Sequence, residues 1–181
     1  MLLNGDYTPI LSASADRVDL LCPSAPAGTA LAIAVETPAG RSNLVEGSMQ
    51  SSTPGLFTTG DSGAARASAV RLGTTELASI PSDSVNGKPA FADDILAFRA
   101  TGVDCSGESA AVGLSMEIGA DVVPENAVRP APGRAGICQI HIVVPPSAAA
   151  DEVPVTLHAT GTDGVKRTSN ATVIELAAPQ Y

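Results

Sequence analysis

Arg17-Val18-Asp19-Leu20-Leu21-Cys22-Pro23 and Gln139-Ile140-His141-Ile142-Val143-Val144-Pro145 are two versions of the same strand. Each alternates apolar and polar residues and ends on proline. A period of two sends Val18, Leu20 and Cys22 to one face of the first copy, and Ile140, Ile142 and Val144 to the matching face of the second. A small-residue loop and a second alternating strand follow each copy, Ala30 to Val35 and Val153 to Ala159. Each then turns and reaches a Ser-Asn pair, Ser42-Asn43 or Ser169-Asn170, that opens a last apolar run. A repeated all-β unit of this kind is a module, and modules serve architecture or binding.

Working outward, the rest of the chain carries the same punctuation. Asn4-Gly5 is a tight-turn signal after Leu2-Leu3. Ile10-Leu11 and Leu44-Val45 complete a meander of about four or five strands before Pro54. Gln50 to Thr53 is a polar connector, and Pro54 to Thr58 opens a new unit. Further strands are expected at Ile95 to Ala100, with Leu96, Phe98 and Ala100 on one face, and at Val112 to Ile118 before a turn at Gly119-Ala120-Asp121. Pro130 to Gly136 is a loop, and Val153 to Thr160 with Ala171 to Leu176 forms the last hairpin, turning at Gly161-Thr162-Asp163-Gly164. About seven strands from Pro54 onward match an immunoglobulin-like sandwich. The expected fold is all-β: residues 1–49 a partial Ig-like repeat missing its opening strands, 50–53 a linker, and 54–181 a complete Ig-like β-sandwich.

Composition agrees with short strands. The chain has 181 residues, 44% hydrophobic but only 3% aromatic, with no Trp, 17 Gly and 14 Pro. Its length supports a core without metal or dense disulfides, and no stretch keeps a helical period. The net charge of −9 repels phosphate backbones and anionic lipid, so nucleic acid and membrane surfaces are poor partners. No run reaches the roughly 18 apolar residues of a membrane span. Met1 to Asp6 lacks the basic start and apolar centre of a signal peptide. The expectation is that the natural beginning of the chain lies further upstream.

Four segments, in order, carry a family resemblance: Pro54-Gly55-Leu56-Phe57-Thr58, Leu96 to Gly102 (Leu-Ala-Phe-Arg-Ala-Thr-Gly), Gly136 to Pro145, and Ser169-Asn170-Ala171-Thr172-Val173. They resemble the uncharacterised C-terminal domain found at the ends of many large secreted acidobacterial proteins. The resemblance covers Pro54 to Leu176, and the preceding repeat unit of such proteins resembles Leu2 to Met49. It implies an Ig-like fold of the IPT/TIG type, an extracellular or cell-surface setting and no known activity. Two departures stand out: Cys138 replaces the usual aromatic of its strand, and the opening strands are absent before Leu2. In an oxidising setting a Cys105–Cys138 disulfide fits, two free thiols being the alternative. Cys22 aligns with Val144 and is expected as a buried free thiol acting as a small hydrophobe.

Chemical constellations are sparse. Gly60-Asp61-Ser62-Gly63 matches the surroundings of a serine-protease nucleophile. Its only histidines, His141 and His158, come later in the chain, opposite to the order that family uses, and a plain turn is the preferred reading. His141 and His158 sit on strands expected to be neighbours, and solvated surface histidines are preferred over a metal pair, because zinc wants three or four ligands. Asp61, Asp83, Asp93-Asp94, Asp121, Asp151-Glu152 and Asp163 would suit calcium. None forms a Ca-loop pattern, so turn roles are preferred and no cofactor is expected. Asn170-Ala171-Thr172 is a glycosylation sequon that more simply starts a strand. Lys88 and Lys166 lie in polar turns, unlike the buried lysine of an isopeptide link.

Three functions compete. A non-catalytic structural or adhesive module is preferred. Its partial unit would be completed by β-strand addition from other copies or from upstream domains of the parent protein. A carbohydrate-binding module is the alternative, weakened by the lack of Trp and by Tyr7 and Tyr181 being the only tyrosines. An enzyme would need a polar constellation that the chain does not supply.

Overall fold

The computed structural model describes residues 1–59, 65–79, 86–105, 113–147 and 151–178. Every helix or strand in them is a β-strand. The chain divides into two units, Met1–Ser51 and Ser52–Tyr181.

The first unit holds β1 (Leu2–Leu3), β2 (Asp6–Tyr7), β3 (Ile10–Ala13), β4 (Val18–Leu20), β5 (Ala30–Ala34), β6 (Glu36–Thr37), β7 (Gly40–Arg41) and β8 (Val45–Ser48). One sheet has the order β2-β1-β5-β8, and β3-β4 and β6-β7 are separate hairpins. The Asn4-Gly5 turn has φ of 51° and 93°, the left-handed pair that closes a two-residue hairpin. Asn4 also ties the turn to β5, donating to the Ala30 carbonyl at 3.1 Å and accepting from the Ala32 N–H at 2.7 Å. Leu2 and Ala34 are the only apolar residues of this unit that are buried.

The second unit holds β9 (Gly55–Leu56), β10 (Thr58–Thr59), β11 (Arg66–Ala67), β12 (Ala69–Arg71), β13 (Ile95–Thr101), β14 (Leu114–Ile118), β15 (Asp121–Pro124), β16 (Ala127–Pro130), β17 (Cys138–Val143), β18 (Asp151–Thr160), β19 (Lys166–Thr168) and β20 (Thr172–Leu176). It is a β-sandwich. One sheet runs β12-β13-β17-β16, with β9 also on β13; the other runs β10-β11-β20-β18-β14-β15, with β19 also on β18. The core fills the space between. Leu96, Phe98 and Ala100 of β13 meet Ile140 and Ile142 of β17, opposed by Met116, Ile118, Val155, Leu157 and Ile174, all fully buried. Strict alternation places them there, as the period of two requires. Strands outnumber the sequence expectation because short segments change sheet: β9 pairs with β13, and one residue later β10 pairs with β11. The last hairpin is β18-β19, after which β20 takes the earlier half of β18.

The unit boundary falls between Ser51 and Ser52. Ser52 is buried, and Thr53 donates its N–H to the Gly102 carbonyl at 2.7 Å. Gly102 has φ of +71°, and a Cβ there would overlap the Thr53 carbonyl. That explains the glycine in the Ala100-Thr101-Gly102 run.

The strand pairings of the two units correspond residue by residue. Leu3 faces Asp6 across Asn4-Gly5, as Ile118 faces Asp121 across Gly119-Ala120. Leu3 lies opposite Ile33, and Ile118 opposite Val155. Ile33 lies opposite Val45, and Val155 opposite Thr172. Ala13 lies opposite Val18, and Val128 opposite Ile140. Strands β1 to β8 therefore pair as β14 to β20 do, and β9 to β13 have no counterpart in residues 1–51.

Candidate functional site

The most informative local geometry is at the two Ser-Asn pairs. Ser169 donates its N–H to the Leu157 carbonyl at 2.8 Å, its Oγ accepts the Leu157 N–H at 2.9 Å, and that Oγ donates to the Asn170 carbonyl at 2.7 Å. Ser42 makes the same three bonds with Val35 and Asn43, at 2.8, 2.9 and 2.8 Å. The hydroxyl substitutes for a ladder partner where the chain leaves one strand and enters the next. The asparagines then differ. Asn170 brackets Leu56 of β9, its Oδ1 accepting the Leu56 N–H at 2.9 Å and its Nδ2 donating to the Leu56 carbonyl at 3.1 Å. Asn43 is exposed, and its carboxamide has no hydrogen-bond partner among the described residues.

The open edges of the first unit follow from the same comparison. In the second unit β17 lies between β16 and β13, whereas β4 has only β3. Val18 and Leu20 are therefore half-buried, while Ile140 and Ile142, which hold the equivalent positions, are fully buried. Ile10, Leu11, Leu44 and Val45 are exposed, Val45 by 58%. Exposed apolar residues and unpaired strand edges thus occur together in the first unit.

The residues singled out from sequence are dispersed. His141 lies on β17 and His158 on β18, in different sheets, so they do not form a pair. Neither is a solvated surface histidine: they are 6% and 7% exposed. His158 is held by Thr168 Oγ1 at 3.0 Å on Nδ1 and by Glu117 Oε2 at 3.1 Å on Nε2. The Nε2 of His141 is buried with no hydrogen-bond partner among the described residues. Burial, with a smaller contribution from the Arg129 charge, holds its pKa below the usual histidine value.

The carboxylates are spread among other tasks. Asp94 accepts the Phe91 N–H at 2.7 Å and pairs with Arg71 at 3.0 Å. Asp121 accepts from Ser147 at 2.9 Å, Glu152 pairs with Arg66 at 2.9 Å, and Asp163 with Arg167 at 2.7 Å. Asp93 and Asp151 occupy positive φ, at 66° and 106°. Among the described residues no three metal-ligating side chains converge. Gly60-Asp61-Ser62-Gly63, Asp83 and Tyr181 lie outside the described residues.

Cys105 and Cys138 are joined in a disulfide, their Cα atoms 5.8 Å apart. It links the segment after β13 to the start of β17, two strands already paired along their length. Cys22 corrects the sequence reading, for it is exposed rather than buried. Strand β4 ends at Leu20, so the alternation that turned Cys22 inward has stopped before it. Its thiol approaches the Met49 sulfur at 3.6 Å. A groove of about 460 Å³ crosses the outer face of β12 and β13, with Val70, Arg71, Leu77, Ala97, Arg99 and Gln139 in its lining.

No family model, no curated protein and no solved structure matches the chain.

The sequence exposed the Ser-Asn pairs but not their use. Asn170 and Leu56 are 114 residues apart, and nothing in either segment announces the other.

Proposed function

We propose that this chain is a non-catalytic structural or adhesive module of a larger secreted or cell-surface bacterial protein. In this reading residues 52–181 form an Ig-like sandwich. The order β12-β13-β17-β16 follows strands A, B, E and D of that fold, and β20-β18-β14-β15 follows G, F, C and C′. Residues 1–51 are then a second such unit that begins at strand C and lacks A and B. The shared Ser-Asn bonding and the matching registers support an internal repeat. The Cys105–Cys138 bridge supports an oxidising compartment.

One observation carries the proposal: the first unit buries only Leu2 and Ala34 while exposing Ile10, Leu11, Leu44 and Val45. A unit of that size cannot offset the conformational entropy of its chain with so little burial. It needs a strand from elsewhere, and strand addition is an assembly function.

Amide hydrogen exchange of the intact chain tests this. Strands β14, β18 and β20 should exchange orders of magnitude more slowly than β1, β5 and β8, their counterparts. Equal protection in the two units would mean that the first is closed and complete, and the assembly reading would fail.

A further inference from the structure

We propose that the groove over β12 and β13 binds an acidic sugar, a ring carrying one carboxylate and several hydroxyls, with Arg99 holding the carboxylate. The site lies wholly within residues 52–181 and is independent of how residues 1–51 are read.

The groove lies where β13 changes neighbours. Phe98 is opposite Ala69 of β12, and Ala100 is opposite Leu56 of β9. Arg99, between them, donates its N–H to the Ser68 carbonyl at 3.1 Å and accepts the Phe57 N–H on its own carbonyl at 3.0 Å. Its backbone is thereby fixed. Phe98 and Ala100 point into the core, so alternation turns Arg99 to the outer face. Ser68 is turned the same way, because Ala67 and Ala69 on either side of it belong to the core. Val70 opposite Ala97 gives a low apolar floor, and Gln139 of β17 stands opposite Arg99. Thr59 of β10 adds a further hydroxyl-bearing residue to the lining.

The polar groups of this lining are open. The Thr59 and Ser68 hydroxyls, the Arg99 guanidinium and the Gln139 carboxamide have no hydrogen-bond or ion-pair partner among the described residues. Ser68 is only 4% exposed, and polar groups so buried are normally satisfied. Arg99 is also an exception of its kind. Among the described residues, the other buried or half-buried arginines have carboxylates: Arg66 pairs with Glu152, Arg71 with Asp94 and Arg167 with Asp163, at 2.9, 3.0 and 2.7 Å. Arg99 is half-buried without one, although acidic residues outnumber Lys and Arg by 19 to 10. A guanidinium shielded from water is stabilised by an anion that fits its planar fork, and a carboxylate does so through two parallel hydrogen bonds.

The remaining groups select the rest of the ligand. A hydroxyl or a carboxamide both donates and accepts, which matches the hydroxyls of a sugar ring. A Glu or Asp side chain would satisfy Arg99 and leave Ser68 and Thr59 unmatched. A volume of about 460 Å³ is within the range of small-ligand sites. Binding rests on the carboxylate rather than on ring stacking, so the chain's lack of Trp is no obstacle.

The test uses the full chain, with digalacturonate as the probe and the side-chain NMR signals of Arg99 and Gln139 as the readout. Saturable shifts are expected at both. The dimethyl ester of the probe, which keeps every hydroxyl, should bind at least about tenfold more weakly, and so should the acid to the Arg99→Gln variant, the loss expected for a charge-assisted pair. The ester comparison is made on the unaltered chain and does not depend on the variant folding. Equal affinity for acid and ester, shifts confined to residues away from the groove, or no saturable shift at any soluble concentration would overturn the site. Tighter binding of a tetraglutamate peptide or of inorganic phosphate than of digalacturonate would overturn the assignment to an acidic sugar.

Discussion

Breaking the Cys105–Cys138 bridge should lower the stability of the second unit by an amount that follows from the spacing of the two residues. The cysteines are 33 residues apart. Loop-closure entropy then gives a stabilisation of about 3.7 kcal/mol at 25 °C. An unfolding entropy of about 2.1 cal/mol/K per residue over Ser52–Tyr181 turns this into a fall in Tm of roughly 14 °C. Cys105→Ser is the cleaner variant, because Cys105 is half-buried whereas Cys138 is fully buried and packs near the Val103 carbonyl. The assay is calorimetry of protein folded under oxidising conditions, comparing wild type, wild type reduced before refolding, and Cys105→Ser. Non-reducing peptide mapping checks that the pair is linked. Linked cysteines with a Tm change under about 5 °C would refute the entropic reasoning. Two free thiols in the oxidised wild type would refute the bridge itself.

Gly102→Ala places a Cβ against the Thr53 carbonyl at positive φ, whereas Gly47 has nothing within 4 Å. Chemical denaturation should show a loss of about 2 kcal/mol or more for Gly102→Ala and little change for Gly47→Ala. His141 is held neutral by burial. The unfolded state therefore binds the extra proton first as the pH falls, and its share of stability is present above about pH 6.5 and lost below it. The urea midpoint of the second unit should drop between pH 7.5 and 5, and His141→Gln should flatten that drop; an unchanged pH profile in the variant would rule the residue out. Cys22 is exposed and unbridged, so a thiol reagent should titrate one group per native, oxidised chain within minutes, and Cys22→Ser should abolish the signal. A thiol reached only in denaturant would contradict the exposed position.

Alternation was enough to place the core strands. Leu96, Phe98 and Ala100, or Ile140 and Ile142, share a face because successive side chains of a strand point to opposite sides, a property of the backbone that sequence carries directly. The likeness of Arg17–Pro23 to Gln139–Pro145 was visible for the same reason, as was the Asn4-Gly5 turn, whose φ values few other residues tolerate. Where the strand stops is another matter. Cys22 continues the alternation of Val18 and Leu20 on paper, but β4 ends at Leu20 and the thiol lies in solvent.

What the sequence by itself determined was the all-β class and the apolar faces of the strands, both set by local spacing. The tertiary structure alone decided who neighbours whom. It put His141 and His158 in different sheets, bound Asn170 to Leu56 across 114 residues, and left β4 with one neighbour where β17 has two. Those outcomes depend on hydrogen bonds and packing between segments far apart in the chain. The composition of either segment does not encode its partner, and only the folded arrangement brings the two together.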